Sequence, residues 1–232
     1  MSGWSEKLLD LLYPPKCAFC RKLTEDGSLL CPSCGTTIER TGDNAARRDI
    51  PHLALCLSPL YYTGAVQKSL QRYKFHGGAA YYRLYAGLMT ECVRAYGETY
   101  DRVSWVPLSR KSLRQRGYDQ AELLAEEVGR QMNLPCERLL VKIRNNRTQS
   151  RTGSMQERLE NVKGVYRCCK APAGERILLV DDIVTTGATL SEAAGVLLDA
   201  GAKSVTGLTV ARTPRDGEAR TQGNGDSGYA DF

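Results

Sequence analysis

Residues 176–190 read RILLVDDIVTTGATL, and this stretch decides the architecture. Ile177 to Val180 form an unbroken apolar run, the pattern of a strand buried on both faces of a parallel sheet. Two acids, Asp181 and Asp182, stand where that run ends. Thr185, Thr186, Gly187, Ala188 and Thr189 follow and open an amphipathic helix. In open α/β sheets, ligands bind off the carboxyl ends of the strands. The free N–H groups at a helix start, with its positive dipole end, cradle a phosphate. Threonine hydroxyls add donors, and a glycine lets a ligand approach the backbone. Adjacent carboxylates suit a vicinal diol or a hydrated magnesium ion. A phosphate clamp one turn from a diol reader describes a ribose 5-phosphate site. Two rival readings exist. One is a buried strand that merely ends in Asp-Asp before a capped helix. The other is a Walker B strand, which needs a GxxxxGK[ST] loop that this sequence does not contain.

Strands and helices alternate outward from this stretch. LALCLSPLYY (53–62), DRVSWVPL (101–108), RLLVKI (138–143), VYRCC (165–169) and SVTGLTVAR (204–212) read as strands. Residues 4–12, 64–75, 79–97, 118–132 and 154–164 carry helical spacing. The alternation predicts an α/β fold with a largely parallel sheet flanked by helices. The chain has 232 residues, 42% of them hydrophobic and 25% charged, which excludes wholesale disorder and collagen-like structure. No run approaches the ~20 apolar residues of a membrane helix, so no membrane insertion is expected. The first residues, MSGWSEKLLDLLYPP, lack the pattern of a secretory signal, which points to a cytoplasmic protein. A net charge of +6 is compatible with phosphate-bearing partners.

Four of the nine cysteines form the set Cys17-x2-Cys20-x10-Cys31-x2-Cys34. Two Cys-x-x-Cys knuckles fit a closed tetrahedral zinc site, whose full set of four thiolates makes the metal structural. Tetrathiolate iron accepts the same spacing. Disulfides are disfavoured in a cytoplasmic chain. Cys56, Cys92, Cys136, Cys168 and Cys169 read as small buried hydrophobes.

LLVDDIVTTGAT (178–189) resembles the PRPP-binding motif of type I phosphoribosyltransferases. WVPLSRKSLRQRGYDQAELLA (105–125) and RTQSRTGSMQERLENVKGVY (147–166) are similar to two further blocks of the ComF family of competence-associated, phosphoribosyltransferase-like proteins. That family also begins with a four-cysteine zinc module. The resemblance implies a phosphoribosyltransferase-like domain at 53–212 and a helix plus zinc module at 1–38, while polar composition reads 39–52 as a linker and the lack of apolar period reads 213–232 as a disordered tail. It implies that Asp181 and Asp182 hold the ribose hydroxyls of PRPP and its Mg2+. Thr185, Thr186, Gly187, Ala188 and Thr189 would hold the 5-phosphate. Leu108, Ser109, Arg110, Lys111, Arg114 and Arg116 would form the pyrophosphate loop, with four cations suited to polyphosphate. The implied roles are DNA uptake in natural transformation, with single-stranded DNA and a competence helicase-like ATPase as partners, or transfer of ribose 5-phosphate to an acceptor that the residues leave unidentified. No residue stands out as a catalytic base.

A third feature is charge. Arg138, Lys142, Arg144, Arg147 and Arg151 lie in a stretch without acids. Arg144, Arg147 and Arg151 are the candidates for contact with a nucleic-acid backbone; a solvated loop, or one folding over pyrophosphate, is the alternative. Gly223-x-Gly225-x-x-Gly228 matches a dinucleotide fingerprint but lacks the strand and helix such a site needs. His52 and His76 have no partner pattern for nucleophilic chemistry.

Overall fold

A computed structural model describes residues 15–24, 28–75, 78–144, 163–215 and 218. The predicted helix at 4–12, most of the one at 154–164 and nearly all of the tail lie outside these residues.

Two nine-residue strands form the centre. β7 (Arg176–Val184) and β8 (Ser204–Arg212) run parallel, from the pair Arg176–Ser204 to Val184–Arg212. α6 (Ala188–Asp199) makes the crossover between them. β4 (Arg102–Trp105) lies parallel to β7 on its outer side. On the other side of β8, β2 (Leu55–Leu57) pairs with Thr206–Leu208 and β3 (Leu60–Tyr61) with Ala211–Arg212. The predicted strand at 53–62 is thus two short strands, broken at Ser58 and Pro59. Proline has no N–H to give a ladder. β1 (Ala46–Arg47) closes this edge antiparallel to β2.

Alternation along β7 builds a core on each side. Leu178 and Val180 face α2 (Gly64–Phe75), α3 (Tyr82–Tyr96) and α5 (Gln120–Met132), through Leu70, Tyr85 and Leu124. Ile177 and Leu179 face α6 and a two-stranded antiparallel ribbon, β5 (Leu140–Lys142) with β6 (Tyr166–Cys168).

The 39–52 segment differs from the expected linker. Tyr61 N–H donates to the Glu39 carbonyl at 3.0 Å, β1 joins the sheet, and Thr41, Arg47 and Ile50 are buried. Its polar composition belongs to a sheet edge that buries one side. The cysteine module also shares the first core: Cys17, Phe19, Cys34 and Ile38 pack in one cluster with Leu70 and Tyr85. α1 (Pro32–Thr37) belongs to this module. The chain likewise does not leave the domain at residue 213. Thr213 N–H bonds the Val184 carbonyl at 3.1 Å, and Glu218 pairs with buried Arg212 at 2.7 Å.

Candidate ligand and metal sites

β7 continues past its apolar run to Val184, so Asp181 and Asp182 lie inside the strand rather than beyond its end. The ladder persists because β8 offers backbone partners as far as Arg212, and a strand needs hydrogen bonds more than apolar side chains. Asp182 is nearly buried, and its N–H donates to Asp181 Oδ1 at 2.8 Å. Burial, and then the charge of Asp182, push the Asp181 carboxyl well above the usual carboxylate range. Lys74 Nζ, from the last turn of α2, reaches Asp182 Oδ1 at 2.9 Å. The charge of Asp181 acts on Lys142 and Tyr166 of the β5–β6 ribbon, where burial is the larger influence and Lys142 Nζ lies 5.5 Å from the centre of the Tyr166 ring.

The chain then turns into α6. Gly187 is the N-cap, with φ +84, and a Cβ there would stand 2.7 Å from Ile50 Cδ1. Both the left-handed backbone and the close approach require glycine. Gly187 has no side chain with which to cap, and Thr186 Oγ1 accepts the Ala188 N–H at 3.4 Å. One open recess runs from Asp181 through Ile183 and the Thr185–Thr189 loop to Leu190. The structure therefore brings Asp181 and the threonine loop to one place. Arg47 holds that loop from the sheet edge, donating through Nη1 to the Thr185 carbonyl at 2.9 Å and through Nε and Nη2 to Asp49.

The expected pyrophosphate turn is shorter than the sequence suggests. Residues 106–109 form it, and the cations ride on α4 (Arg110–Arg116). Ser109 caps α4 by accepting the Ser112 N–H at 3.1 Å. Asp119 accepts the Leu108 N–H at 2.8 Å while capping α5 through the Ala121 and Glu122 N–H groups. Burial raises the Asp119 pKa. Arg110, Lys111 and Arg114 are exposed. Arg116 is half-buried, with its guanidinium 4.9 Å from the Phe75 ring centre and Nη1 2.7 Å from Gln120 Oε1.

The basic stretch links β5 to β6. Arg138 pairs with Glu122 and lies over Trp105, Lys142 lies over Tyr166, and Arg144 is exposed beside Gly164. Arg147 and Arg151 fall outside the described residues.

The sulfurs of Cys17, Cys20, Cys31 and Cys34 all lie within 4.8 Å of one another, and none is in a disulfide. Tetrahedral zinc with Zn–S bonds of about 2.3 Å spaces its sulfurs by about 3.8 Å, so the set fits the metal. Cys34 N–H donates to Cys31 Sγ at 3.4 Å, and the Cys17 carbonyl accepts the Arg21 N–H in the first knuckle. Burial, and then the surrounding sulfurs, raise the Cys34 pKa. At Cys17 burial also acts upward, but backbone hydrogen bonds outweigh it and favour the thiolate that a metal needs.

Lys74, Arg47, Asp119 and Ile50 escape a sequence reading. Asp119 alone left a signal, as an acid just before an amphipathic helix.

A zinc-ribbon module packed on a type I phosphoribosyltransferase-like domain is the class of protein that this fold and these sites define. The family described as "Phosphoribosyl transferase domain" matches residues 119–223, and that described as "Double zinc ribbon domain" matches residues 8–46. The chain is 32% identical over 219 residues to competence protein ComFC of Bacillus subtilis, covering 89% of each chain. It is 28% identical to ComFC of Streptococcus pneumoniae over 82% of this chain and 90% of that one. DNA utilization protein YhgH of Escherichia coli is 27% identical, over 85% of this chain and 90% of its own. The chain belongs to the ComF family.

Proposed function

We propose that the chain binds PRPP with Mg2+ in the recess between β7 and α6, and that this binding serves DNA uptake in natural transformation. The observation that carries the reading is the one open recess in which Asp181 meets the Thr185–Thr189 loop and the start of α6. Thr185, Thr186, Gly187, Ala188 and Thr189 hold the 5-phosphate through backbone N–H groups and hydroxyls. Asp181 and Asp182 accept from the ribose hydroxyls. The pyrophosphate lies toward the 108–116 segment, where Asp119 fixes the Leu108 backbone and Arg116 offers a charge. Magnesium, when bound, neutralises pyrophosphate charge, and Asp181 and Asp182 are carboxylates suited to it.

The names of the relatives support the DNA role, with Arg144, Arg147 and Arg151 as the contacts to single-stranded DNA. A cytoplasmic location and a helicase-like ATPase partner fit the same role; among the described residues no helix is long and apolar enough to cross a membrane. The match to a phosphoribosyl transferase domain favours a second reading, turnover. A nucleophile on the acceptor would form a bond to C1 of the ribose while the bond from C1 to the pyrophosphate oxygen breaks, and pyrophosphate leaves with that electron pair. Titrating PRPP and single-stranded DNA on one preparation, separately and together, tests the binding reading. Saturable PRPP binding that needs Mg2+ supports it, and no PRPP binding overturns it. Pyrophosphate release with a panel of bases and amines would establish turnover.

A further inference from the structure

We propose that Lys74 is a positioning residue of the PRPP site, placed there by the zinc module through helix α2. The inference rests on the PRPP reading above and adds to it a residue far from both motifs in sequence.

Three consecutive residues at the end of α2 point to three different places. Arg72 Nη2 donates to the Ala18 and Phe19 carbonyls, at 2.6 and 3.0 Å, inside the first cysteine knuckle. One turn earlier, Ser69 Oγ donates to the same Ala18 carbonyl and shares a hydrogen bond with Tyr85 Oη at 2.6 Å. Tyr73 turns into the core, where its hydroxyl donates to the Gln120 carbonyl at 2.9 Å and its own carbonyl accepts from the Tyr118 hydroxyl. Lys74 meets Asp182 at 2.9 Å with only 21% of its side chain exposed. Successive helical residues differ by about 100° in direction, so a helix fixed at positions 72 and 73 also fixes the direction in which the side chain of position 74 leaves the backbone.

The chemistry explains why a cation is needed there. Two carboxylates side by side repel each other and any anionic ligand. Lys74 offsets one of them, holds its oxygen in place, and leaves the other facing the recess. The knuckle therefore orients Asp182 through two links joined by helix α2: Arg72 with the Ala18 and Phe19 carbonyls, and Lys74 with Asp182.

The test is a double-mutant cycle read by calorimetric PRPP titration with Mg2+ on the full, zinc-loaded chain. Lys74→Met is expected to weaken PRPP binding by about tenfold or more. Lys74→Arg should recover most of it, because a cation of similar reach returns, which a merely structural role would not require. Arg72→Met should weaken binding several-fold. Combined with Lys74→Met it should add nothing, since both act through one contact. Thermal melting of each variant separates folding from binding. Unchanged PRPP affinity in folded Lys74→Met overturns the inference while leaving the PRPP site standing. Additive losses for the two changes overturn the route through α2. No PRPP binding by the unmutated chain would instead remove the functional reading, and this inference with it.

Discussion

The two ends of β4 and β7 are built on opposite plans. At their starts, charges satisfy one another: Arg176 pairs with Asp101 at 2.8 Å, and Arg102 bridges Glu175 and Glu137, both at 2.6 Å. At their finishes, two acids stand next to each other with Lys74 paired to Asp182, and the following helix starts on a glycine. Groups paired with each other hold strands in register. Here Asp181 faces an open recess instead of an opposite charge on a neighbouring strand, and the core beneath must hold it there. The helix starts repeat the contrast. α4 is capped by Ser109 and α5 by Asp119, whereas α6 starts on Gly187, beside the recess that the Thr185–Thr189 loop lines. The cations of α4 make its surface basic, but Ser109 already takes one N–H of its first turn.

Predictions that would break or sharpen this contrast begin with the metal module, which supports the site end through α2. Cys34→Ser is expected to abolish zinc binding by elemental analysis. It should lower the stability of the whole chain by several kcal/mol, because the module and the domain share one core. A single shifted melting transition is expected; two separate transitions would show that the module folds by itself. At the finish of β7, Asp181→Ala with Asp182→Ala should weaken PRPP binding a hundredfold or more. Each lost charge-assisted hydrogen bond is worth about 1.5–3 kcal/mol. Melting should fall modestly, since neither side chain builds the apolar core but Lys74 loses its partner. Unchanged affinity would mean that the diacid is not the ribose site.

Gly187→Ala should cost about 1–3 kcal/mol of stability, from left-handed strain and the collision with Ile50, and about tenfold in PRPP affinity. Ile50→Ala in the same chain should restore part of both, because it removes the collision and leaves the strain. For the basic connection, log affinity for single-stranded DNA should fall with log salt, and Arg144→Ala should flatten that slope by about 0.7 if the residue neutralises one phosphate. An unchanged slope would leave Arg144 a solvated charge.

The smallest effect is expected at the starts of the strands. Hydrogen bonds and charge from Arg176 hold the Asp101 carboxyl below the usual carboxylate range. A group depressed in the folded state contributes stability above its unfolded pKa, about 3.9, and loses it as pH falls through the folded value. Asp101→Asn should therefore melt slightly lower than the unmutated chain at neutral pH and converge with it in strong acid. PRPP binding should stay the same, and a loss of binding would show that the two ends are not independent.

The fold was legible wherever the signal was local and contiguous. An apolar run followed by Asp-Asp and a threonine–glycine turn predicts strand, site and helix together, since each neighbour positions the next. Two Cys-x-x-Cys pairs predict a metal site for the same reason. Lengths were less legible. β7 outruns its apolar stretch because β8 keeps offering hydrogen bonds, and 53–62 divides because Pro59 cannot supply one. The 39–52 segment read as a linker because polarity alone does not distinguish a loop from an edge strand that buries Arg47 and Ile50.

The sequence by itself determined the chemistry that this protein brings to a ligand: four thiolates, two adjacent carboxylates, and a threonine–glycine turn before a helix. Only the tertiary structure decided what holds that chemistry in place. Arg47 reaches Thr185 from 138 residues away, Ile50 closes on Gly187, Asp119 fixes the Leu108 backbone, and Lys74 comes from a helix fastened to the zinc knuckle to meet Asp182. The reason is physical. Covalent connection places residues that are neighbours in the chain, whereas packing of strands and helices places those that are not, and no local pattern records which side chain the packing will bring.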